Sequence, residues 1–167
     1  MEHVTVQDLT FEAFNPYGTF ASMLNPSAIK IGEEPIEFYR DMTQSDLGGS
    51  TKVSYSICRV LKRDPVVNVI EYHSTCGEGI LPLDGDVVIH VAPATPNGEV
   101  PHDRIEVFRV PQGTLVTLRP GVWHHAPYAD GCECVNVLIV LPERTYANDC
   151  VVVDLEPEEQ VRIEGIG

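Results

Sequence analysis

Four side chains suited to binding a metal ion occur in two short stretches of the chain. The first stretch contains Glu71, His73 and Glu78, and the second contains His124. Residues i and i+2 of a β-strand point to the same face, so Glu71 and His73 can reach one cation if they end a strand. Glu78 follows a Gly-containing turn and can return as a third ligand, with His124 as the fourth. The spacing predicts a divalent metal site, and Ni, Mn, Zn and Fe all accept imidazole and carboxylate ligands.

Each of these residues also has an ordinary structural interpretation. Glu71 can be a solvated strand charge, and His73 can be a hydrogen-bonded core histidine. Glu78 can be an acid in a turn. Either stretch alone favours the structural interpretation, whereas the two stretches in combination favour the metal site.

The second stretch, Arg119-Pro-Gly-Val-Trp-His-His-Ala-Pro127, contains two adjacent histidines. Neighbours on an extended strand point to opposite faces, so we expect His124 to point into the fold and His125 to pack at a surface or subunit contact. His125 becomes a candidate acid or base if it turns inward, because imidazole titrates near neutral pH. Trp123 is a candidate substrate platform, although packing is the commoner role of tryptophan.

The elements that position these residues have the pattern of β-strands. Val- and Ile-rich runs separated by Gly and Pro indicate strands at 4–7, 36–40, 51–60, 66–73, 86–92, 104–110, 114–118 and 133–141, with one more after residue 151. Thr10–Phe14 indicates a helical turn, and residues 20–34 indicate a loop. Strands without alternating helices predict a mainly β protein, an antiparallel sandwich or barrel. A period of two places Val67 on the same face as Glu71 and His73.

Length and composition indicate one domain. A chain of 167 residues with 43% hydrophobic content can build a single sizeable core. We expect a docking segment at 1–50, a barrel at 51–155 and an acidic tail at 156–167 that leaves the core. No run approaches the ~18 apolar residues of a membrane span, and the first residues carry neither a basic nor an apolar leader. We therefore expect a cytoplasmic protein without a membrane partner.

The charge balance restricts the partners. The net charge is −14, from 11 basic and 25 acidic residues, which disfavours nucleic acid because its binding requires clustered Lys and Arg. The same negative field repels an anionic substrate, so a site for one needs local positive charge. Arg59 and Arg119 are candidates because guanidinium holds carboxylate through two hydrogen bonds. Arg59 can equally pair with one of the many acids.

The remaining cysteines and histidines carry less information. Five cysteines are an odd number and lack CxxC spacing, which disfavours a disulfide framework or a structural zinc site. Cys132 and Cys134 form a candidate metal or redox pair, with free thiols the commoner outcome. His90 and His102 lie outside both stretches, and we expect them to be structural.

The two stretches together resemble the cupin superfamily, through Glu71-x-His73 with Glu78 and through Pro120-Gly-Val-Trp-His124. The chain is more closely similar to the ureidoglycolate lyase family, formerly called ureidoglycolate hydrolases. That resemblance covers most of the chain and rests on Glu12-Ala-Phe-Asn-Pro-Tyr-Gly18, Phe38-Tyr-Arg-Asp41, Ser56-Ile-Cys-Arg59, Glu71-Tyr-His73, Ile80-Leu-Pro82, Gly121-Val-Trp-His-His125 and Asn148-Asp-Cys150. The Val-Trp-His-His string is the most specific. The chain resembles a divergent member, since it has Leu118-Arg119-Pro120 where the family commonly has Tyr-His-Arg, and Glu78 where the family usually has glutamine.

The resemblance implies a cupin-like antiparallel β-barrel of jelly-roll type and a homodimer, which would also cover the open edges of a small barrel. It implies a lyase that cleaves ureidoglycolate, or a close α-hydroxy-α-amido acid, to glyoxylate and urea in purine and allantoin breakdown. The candidate catalytic residues are His124, His125 and Glu71, the candidate ligands for the hydroxy-carboxylate are Arg59, Arg119 and Trp123, and the candidate metal ligands are His73, Glu78, His124 and Glu71. Two alternatives stay open, a non-catalytic cupin that binds a small ligand and a cupin isomerase or epimerase of a sugar acid.

Overall fold

The computed structural model describes residues 1–167 and consists mainly of β-strands. In chain order the strands are β1 (Glu2–Thr5), β2 (Gln7–Asp8), β3 (Gly18–Ser22), β4 (Lys30–Glu33), β5 (Ile36–Tyr39), β6 (Val53–Leu61), β7 (Val66–Val67), β8 (Val69–Tyr72), β9 (Glu78–Pro82), β10 (Asp86–Ala92), β11 (Glu106–Val110), β12 (Thr114–Leu118), β13 (Trp123–His124), β14 (Tyr128–Asp130), β15 (Cys134–Pro142), β16 (Val151–Asp154) and β17 (Val161–Glu164). The helices are α1 (Phe11–Phe14) and α2 (Thr145–Asn148), and a 3-10 turn covers His102–Arg104. Neither α-helix could cross a membrane, since each has only 4 residues.

Two large sheets form the body of the fold. The first has the strand order β16-β8-β13-β10-β11-β2, with β14 also paired to β10, and the second has the order β3-β12-β9-β15-β6. All their pairings are antiparallel except that of β2 with β11. The sheets are not joined into one closed barrel, so the fold is a jelly-roll-like sandwich. The prediction of a mainly β fold of jelly-roll type is confirmed.

The core has two layers because both faces of the first sheet are buried. The inner layer lies between the two large sheets and includes Phe14, Ile80, Ile89, Phe108 and Val137. The outer layer covers the other face of the first sheet and includes Ile70, Val88, Trp123, Leu155 and Ile163. Strand β10 contributes to both layers, since successive side chains on a strand point in opposite directions.

Strand β8 directs its side chains into both layers. Ile70 belongs to the outer layer, so Glu71, the next residue, points to the other face. The expectation that Val67 shares the face of Glu71 is wrong, because Val67 lies in the outer layer beside Ile70. The strand is interrupted at Asn68, between β7 and β8, and the alternation restarts there.

The two end regions of the chain meet in a third sheet. Its order is β1-β17-β7, with β1 parallel to β17 and β17 antiparallel to β7. The expectation of an acidic tail at 156–167 that leaves the core is wrong, since β17 buries Val161 and Ile163 in the outer layer. The acids of this region alternate with apolar residues, which is the pattern of a strand with one buried face.

The N-terminal residues are also more regular than expected. The loop expected at 20–34 contains the end of β3, which pairs with β12, and the whole of β4. Strands β4 and β5 pair only with each other and form a separate two-stranded hairpin. We call residues 30–39 the arm.

Candidate metal centre

Three strands bring the four predicted ligands together. Strand β8 ends next to His73, strand β9 begins at Glu78, and β13 places His124 opposite Glu71 of β8. The ligand atoms of Glu71, His73 and His124 all lie within 4.8 Å of one another. The Oε2 atom of Glu78 lies 2.9 Å from Nε2 of His73 and 3.1 Å from Nε2 of His124. Glu71, His73 and His124 therefore form one possible ligand group, and Glu78 contacts both of its imidazoles.

The hydrogen bonds fix which nitrogen of each histidine carries the proton. Nδ1 of His73 lies 2.7 Å from the backbone oxygen of Asp149, and Nδ1 of His124 lies 2.8 Å from that of Val122. A carbonyl oxygen only accepts, so both Nδ1 atoms donate. The Nε2 atom of a ring without a second proton presents a lone pair to the Glu78 carboxylate, which can also only accept, whereas Nε2 of a protonated ring donates to it. The short Nε2–Oε2 distances therefore require either a proton on Nε2 or a cation between the two atoms.

Charge in this cluster shifts the ionisation of its members. Burial alone would raise the pKa of Glu78, but the charges and hydrogen bonds of His124 and His73 outweigh it and lower that pKa to about 2. Burial alone would lower the pKa of His124, but the carboxylate of Glu78 outweighs it and the pKa of His124 is raised. The cluster thus retains a buried carboxylate at neutral pH, which is a strong attraction for a cation.

Asp149 holds the loop that carries His73. Its Oδ1 atom accepts from the backbone N–H and the hydroxyl of Ser74, at 2.8 and 2.5 Å, and its Oδ2 atom accepts from the same two groups of Thr75, at 2.9 and 2.5 Å. Burial opposes ionisation, but these four hydrogen bonds keep the pKa of the Asp149 carboxyl well below its usual range. One residue therefore fixes both the loop after His73 and, through its backbone oxygen, the imidazole itself. The sequence contained this residue in the Asn148-Asp-Cys150 string, where it had no assigned role.

Trp123 and His124 point to opposite layers, as strand alternation requires. The indole of Trp123 is 1% exposed in the outer layer and donates to the Thr95 hydroxyl at 3.1 Å, so the structure does not bring it to the ligands. Alternation does not govern His125, because β13 ends at His124. His125 is half-buried, and burial lowers its pKa more than the negative charge of Glu71 raises it. It is therefore a neutral imidazole at pH 7 at the edge of the cluster.

The two arginines singled out in the sequence lie away from the cluster. Arg59 is exposed on the outer face of β6, where its Nε donates to Asn136 Oδ1 at 3.1 Å. Arg119 is also exposed, and its guanidinium donates to the backbone oxygen of Asn15. The structure therefore brings neither of them together with His73 and His124.

Arg63, which sequence reasoning missed, is an exposed arginine that contacts the segment after His125. Its two terminal nitrogens donate to the backbone oxygens of Ala126 and Pro127, both at 2.8 Å, and its guanidinium lies 4.0 Å from the centroid of the Tyr128 ring. These contacts tie Arg63 to the residues that directly follow His125. No spacing pattern in the sequence signals this contact, since Arg63 simply follows the end of β6.

All five cysteines are free. Cys150 lies beside the cluster, with its Sγ atom 3.4 Å from Oε2 of Glu71. Burial and the neighbouring Glu71 raise the pKa of Cys150 to about 12, so it is a thiol at neutral pH. Cys132 and Cys134 are free and half-buried, and the group of side chains that could hold a metal contains neither.

The protein is thus a β-sandwich of two sheets with imidazoles and carboxylates gathered between them. The chain belongs to the ureidoglycolate lyase family, whose sequence profile matches residues 1–164. The predicted family is thereby confirmed, and with it the prediction that the protein is a lyase.

Two curated relatives agree with this assignment. The chain is 28% identical to a ureidoglycolate lyase of Rhodobacter capsulatus over 126 residues, which cover 74% of this chain and 77% of the relative. It is 29% identical over 127 residues, 75% of this chain and 74% of the relative, to a protein of Agrobacterium fabrum with a provisional ureidoglycolate lyase name. Each alignment therefore covers about three quarters of both proteins.

Solved structures give a more distant match. Oxalate decarboxylase of Bacillus subtilis aligns with a TM-score of 0.43 and 14% identity, over 62% of this chain and 24% of that one. Procruciferin, an 11S globulin of Brassica napus, aligns with a TM-score of 0.42 and 16% identity, over 62% of this chain and 23% of that one. The chain thus spans about a quarter of the length of either structure.

Proposed function

We propose that this protein cleaves ureidoglycolate to glyoxylate and urea, as a step in purine and allantoin breakdown. The observation that carries the proposal is the convergence of Glu71, His73, Glu78 and His124 between the two sheets. It stands in a chain that matches the ureidoglycolate lyase family over residues 1–164. A close α-hydroxy-α-amido acid would have the same recognisable groups, namely a carboxylate, a hydroxyl and an amide nitrogen on one carbon.

The four converging side chains suit a divalent metal ion. Two imidazole nitrogens with carboxylate oxygens form a ligand set that Mn, Fe, Ni and Zn accept. Both imidazoles donate from Nδ1 to a backbone oxygen, which is how metal-binding histidines are usually oriented. When bound, such an ion would act as a Lewis acid on the oxygen atoms of a hydroxy-carboxylate and lower the pKa of the hydroxyl.

The reaction needs one proton to move and one bond to break. The hydroxyl loses its proton, the electron pair of the O–H bond forms the carbonyl of glyoxylate, and the electron pair of the C–N bond leaves with the urea nitrogen, which takes up a proton. His125 can accept the first proton and return it to the nitrogen, because its lowered pKa leaves it neutral at pH 7. The reaction neither consumes nor releases water. Each molecule of ureidoglycolate gives one glyoxylate and one urea, so the two products form in equal amounts.

We assign the substrate carboxylate to Arg63 rather than to Arg59 or Arg119. Arg63 uses one N–H of each terminal nitrogen on Ala126 and Pro127, and a guanidinium has five N–H groups. The remaining donors can bind a carboxylate next to His125. Arg59 and Arg119 are engaged on other surfaces of the molecule.

The test is an assay of urea and glyoxylate from ureidoglycolate with Mn, Ni, Fe or Zn supplied in turn. We expect both products in equal amounts, and His125→Gln should lower kcat by about 10²–10⁴-fold while metal content stays unchanged. His102→Gln is the matched control, since His102 lies in the 3-10 turn near Glu159 and should keep full activity.

Three outcomes would overturn the proposal. Ammonia in place of urea would indicate hydrolysis. Proton exchange into a sugar acid without C–N cleavage would indicate an isomerase or epimerase. A bound small acid with no turnover, with the metal present, would indicate a binding protein.

We further propose that the protein is a cytoplasmic homodimer in which residues 1–50 dock onto the sandwich built from the following residues. The net charge of −14 supports a small-molecule substrate over nucleic acid or an anionic membrane surface. Sedimentation at micromolar concentration should give the dimer mass, and a monomer would contradict the assembly.

A further inference from the structure

The arm has an apolar face that its own chain leaves exposed. The register pairs Ile31 with Phe38 and Glu33 with Ile36, so these four side chains lie on the same face. Ile31, Phe38 and Ile36 are 53%, 61% and 77% exposed. Three large apolar side chains on ten residues of hairpin form a contiguous apolar patch, which is the mark of an interaction site.

The other face of the arm is polar, and its side chains bind one another. Lys30 Nζ lies 2.6 Å from Glu37 Oε1, and the Tyr39 hydroxyl donates to Glu37 Oε2 at 3.1 Å. The two strands pair with no third strand. A two-stranded hairpin is marginally stable at best in water, so an ordered arm requires packing against something else.

The outer face of β6 is a second uncovered apolar surface. Strand β6 has nine residues and forms the edge of its sheet, paired only with β15. Its inner side chain Val60 belongs to the core, whereas Tyr55, Ile57 and Leu61 on the other face are 73%, 56% and 62% exposed. A long, apolar, exposed edge strand offers unpaired backbone groups and side chains to another chain.

The arm and β6 carry opposite charge. Residues 51–62 contain Lys52, Arg59 and Lys62 and no acid, in a chain with 11 basic and 25 acidic residues, and only Lys52 has an ion pair, with Glu143 at 3.7 Å. The arm contains three acids and only one base, Lys30, which its pairing with Glu37 already neutralises. Complementary charge of this kind orients two surfaces as they meet.

We propose that the arm of one protomer lies with its apolar face on the β6 surface of a second copy of this chain. The arm of that second copy lies in the same way on β6 of the first. The arm has ten residues and β6 has nine, which approaches the roughly 20 residues a side of a standard interface. An exchange of this kind is closed by a two-fold axis, so it ends at two copies. The inference rests on the homodimer proposed above and places its interface.

The experiment measures the mass of the full-length protein by sedimentation equilibrium across a range of concentrations. We expect a dimer for the unaltered chain. Ile36→Lys in the arm and Ile57→Lys in β6 should each weaken the dimer by about 100-fold or more in Kd, because each substitution occurs twice in the assembly. Both positions are exposed in the single chain, so the fold should remain intact by circular dichroism.

Two matched controls separate this interface from a general effect of added charge. Val152→Lys introduces the same charge at a 53% exposed position on β16, in the opposite sheet, and should leave the dimer unchanged. Glu33→Lys should weaken the dimer through repulsion with the basic β6, whereas Glu158→Lys, with the same change of charge in the turn before β17, should not.

The outcomes distinguish a wrong position of the interface from a wrong oligomeric state. A dimer that persists in both Ile36→Lys and Ile57→Lys overturns the proposed interface while the homodimer stands. A monomer of the unaltered chain at about 100 µM, well above the Kd of a specific dimer, overturns both. A mass that rises beyond two copies with concentration would show an open-ended assembly and would overturn the two-fold exchange. None of these results bears on whether urea and glyoxylate are formed.

Discussion

The two core layers each bury histidine, and the histidines differ in how their nitrogens are used. In the inner layer, His73 and His124 donate from Nδ1 to backbone oxygens and direct Nε2 to Glu78. In the outer layer, His90 is 1% exposed, and neither of its ring nitrogens has a partner in good hydrogen-bond geometry. Burial is the main cause that lowers the pKa of His90 to about 3, and the imidazoles of His125 and His124 contribute to the same shift when they are protonated.

The difference teaches that burial alone does not make a histidine a ligand. A ring becomes a ligand when one nitrogen is anchored, so that the lone pair of the other has a fixed direction and a shared target. His90 has neither anchor nor target, and its unpartnered nitrogens are a cost to the folded state. Three predictions test this contrast.

The largest effect is expected in the inner layer. His73→Ala and His124→Ala each remove a ligand, and each should lower kcat/KM by about 10³-fold, since a bound metal contributes several kcal/mol to catalysis. The double variant should lose stoichiometric metal, measured by elemental analysis of protein purified without chelator. A double variant that keeps a full equivalent of metal would show that the ligand set is wrong.

The second effect concerns His90 in the outer layer and the stability of the protein at low pH. Unfolded His90 takes up a proton near its ordinary pKa of 6.5, whereas in the folded protein it stays neutral down to about pH 3. The unfolded state therefore binds more protons between these values, and the free energy of unfolding falls as the pH is lowered, by on the order of 5 kcal/mol in total. His90→Leu should remove this part of the acid dependence, measured by urea unfolding at pH 7, 5 and 4. Parallel profiles for the two proteins would contradict the assignment.

The smallest effect concerns Asp149, which positions His73 but is not itself a proposed metal ligand. Asp149→Ala removes four hydrogen bonds to the loop after His73 but no metal ligand, so metal affinity should fall about 10–100-fold. Asp130→Ala is the control, because Asp130 binds Arg109 and the backbone of Gly167 and has no contact with the cluster. Equal losses of metal affinity in both variants would show a general loss of stability instead.

The ligands could be predicted from the sequence because they depend on local geometry. Glu71 and His73 follow the two-residue period of a strand, and Val-Trp-His-His supplies His124 in a string that is specific to the family. Strand β9 is not among the predicted strands, and its Gly79 and Pro82 are residues that are rare in central strands. Glycine at position 79 avoids crowding, because a Cβ there would lie 3.0 Å from that of Val140.

The charged partners could not be predicted, because they depend on contacts between distant segments. Arg59 points outward by the alternation of β6, and Arg119 binds Asn15, 104 positions away in the chain. Arg63 meets Ala126 and Pro127 only after the sandwich has formed. Each is an ordinary Arg among many acids, so nothing local separates the one near the cluster from the others.

The third sheet places a constraint on when folding can finish during protein synthesis. Glu2 pairs with Val161, so β1 waits for a partner that is translated 159 residues later. At roughly 5–20 residues per second, that delay lasts on the order of ten seconds. The apolar side chains of the outer layer lack Val161 and Ile163 for that time, while the antiparallel strands of the inner layer can already pair. A ribosome stalled before β17 would therefore hold a chain with an exposed outer layer, the form most open to chaperones and proteases.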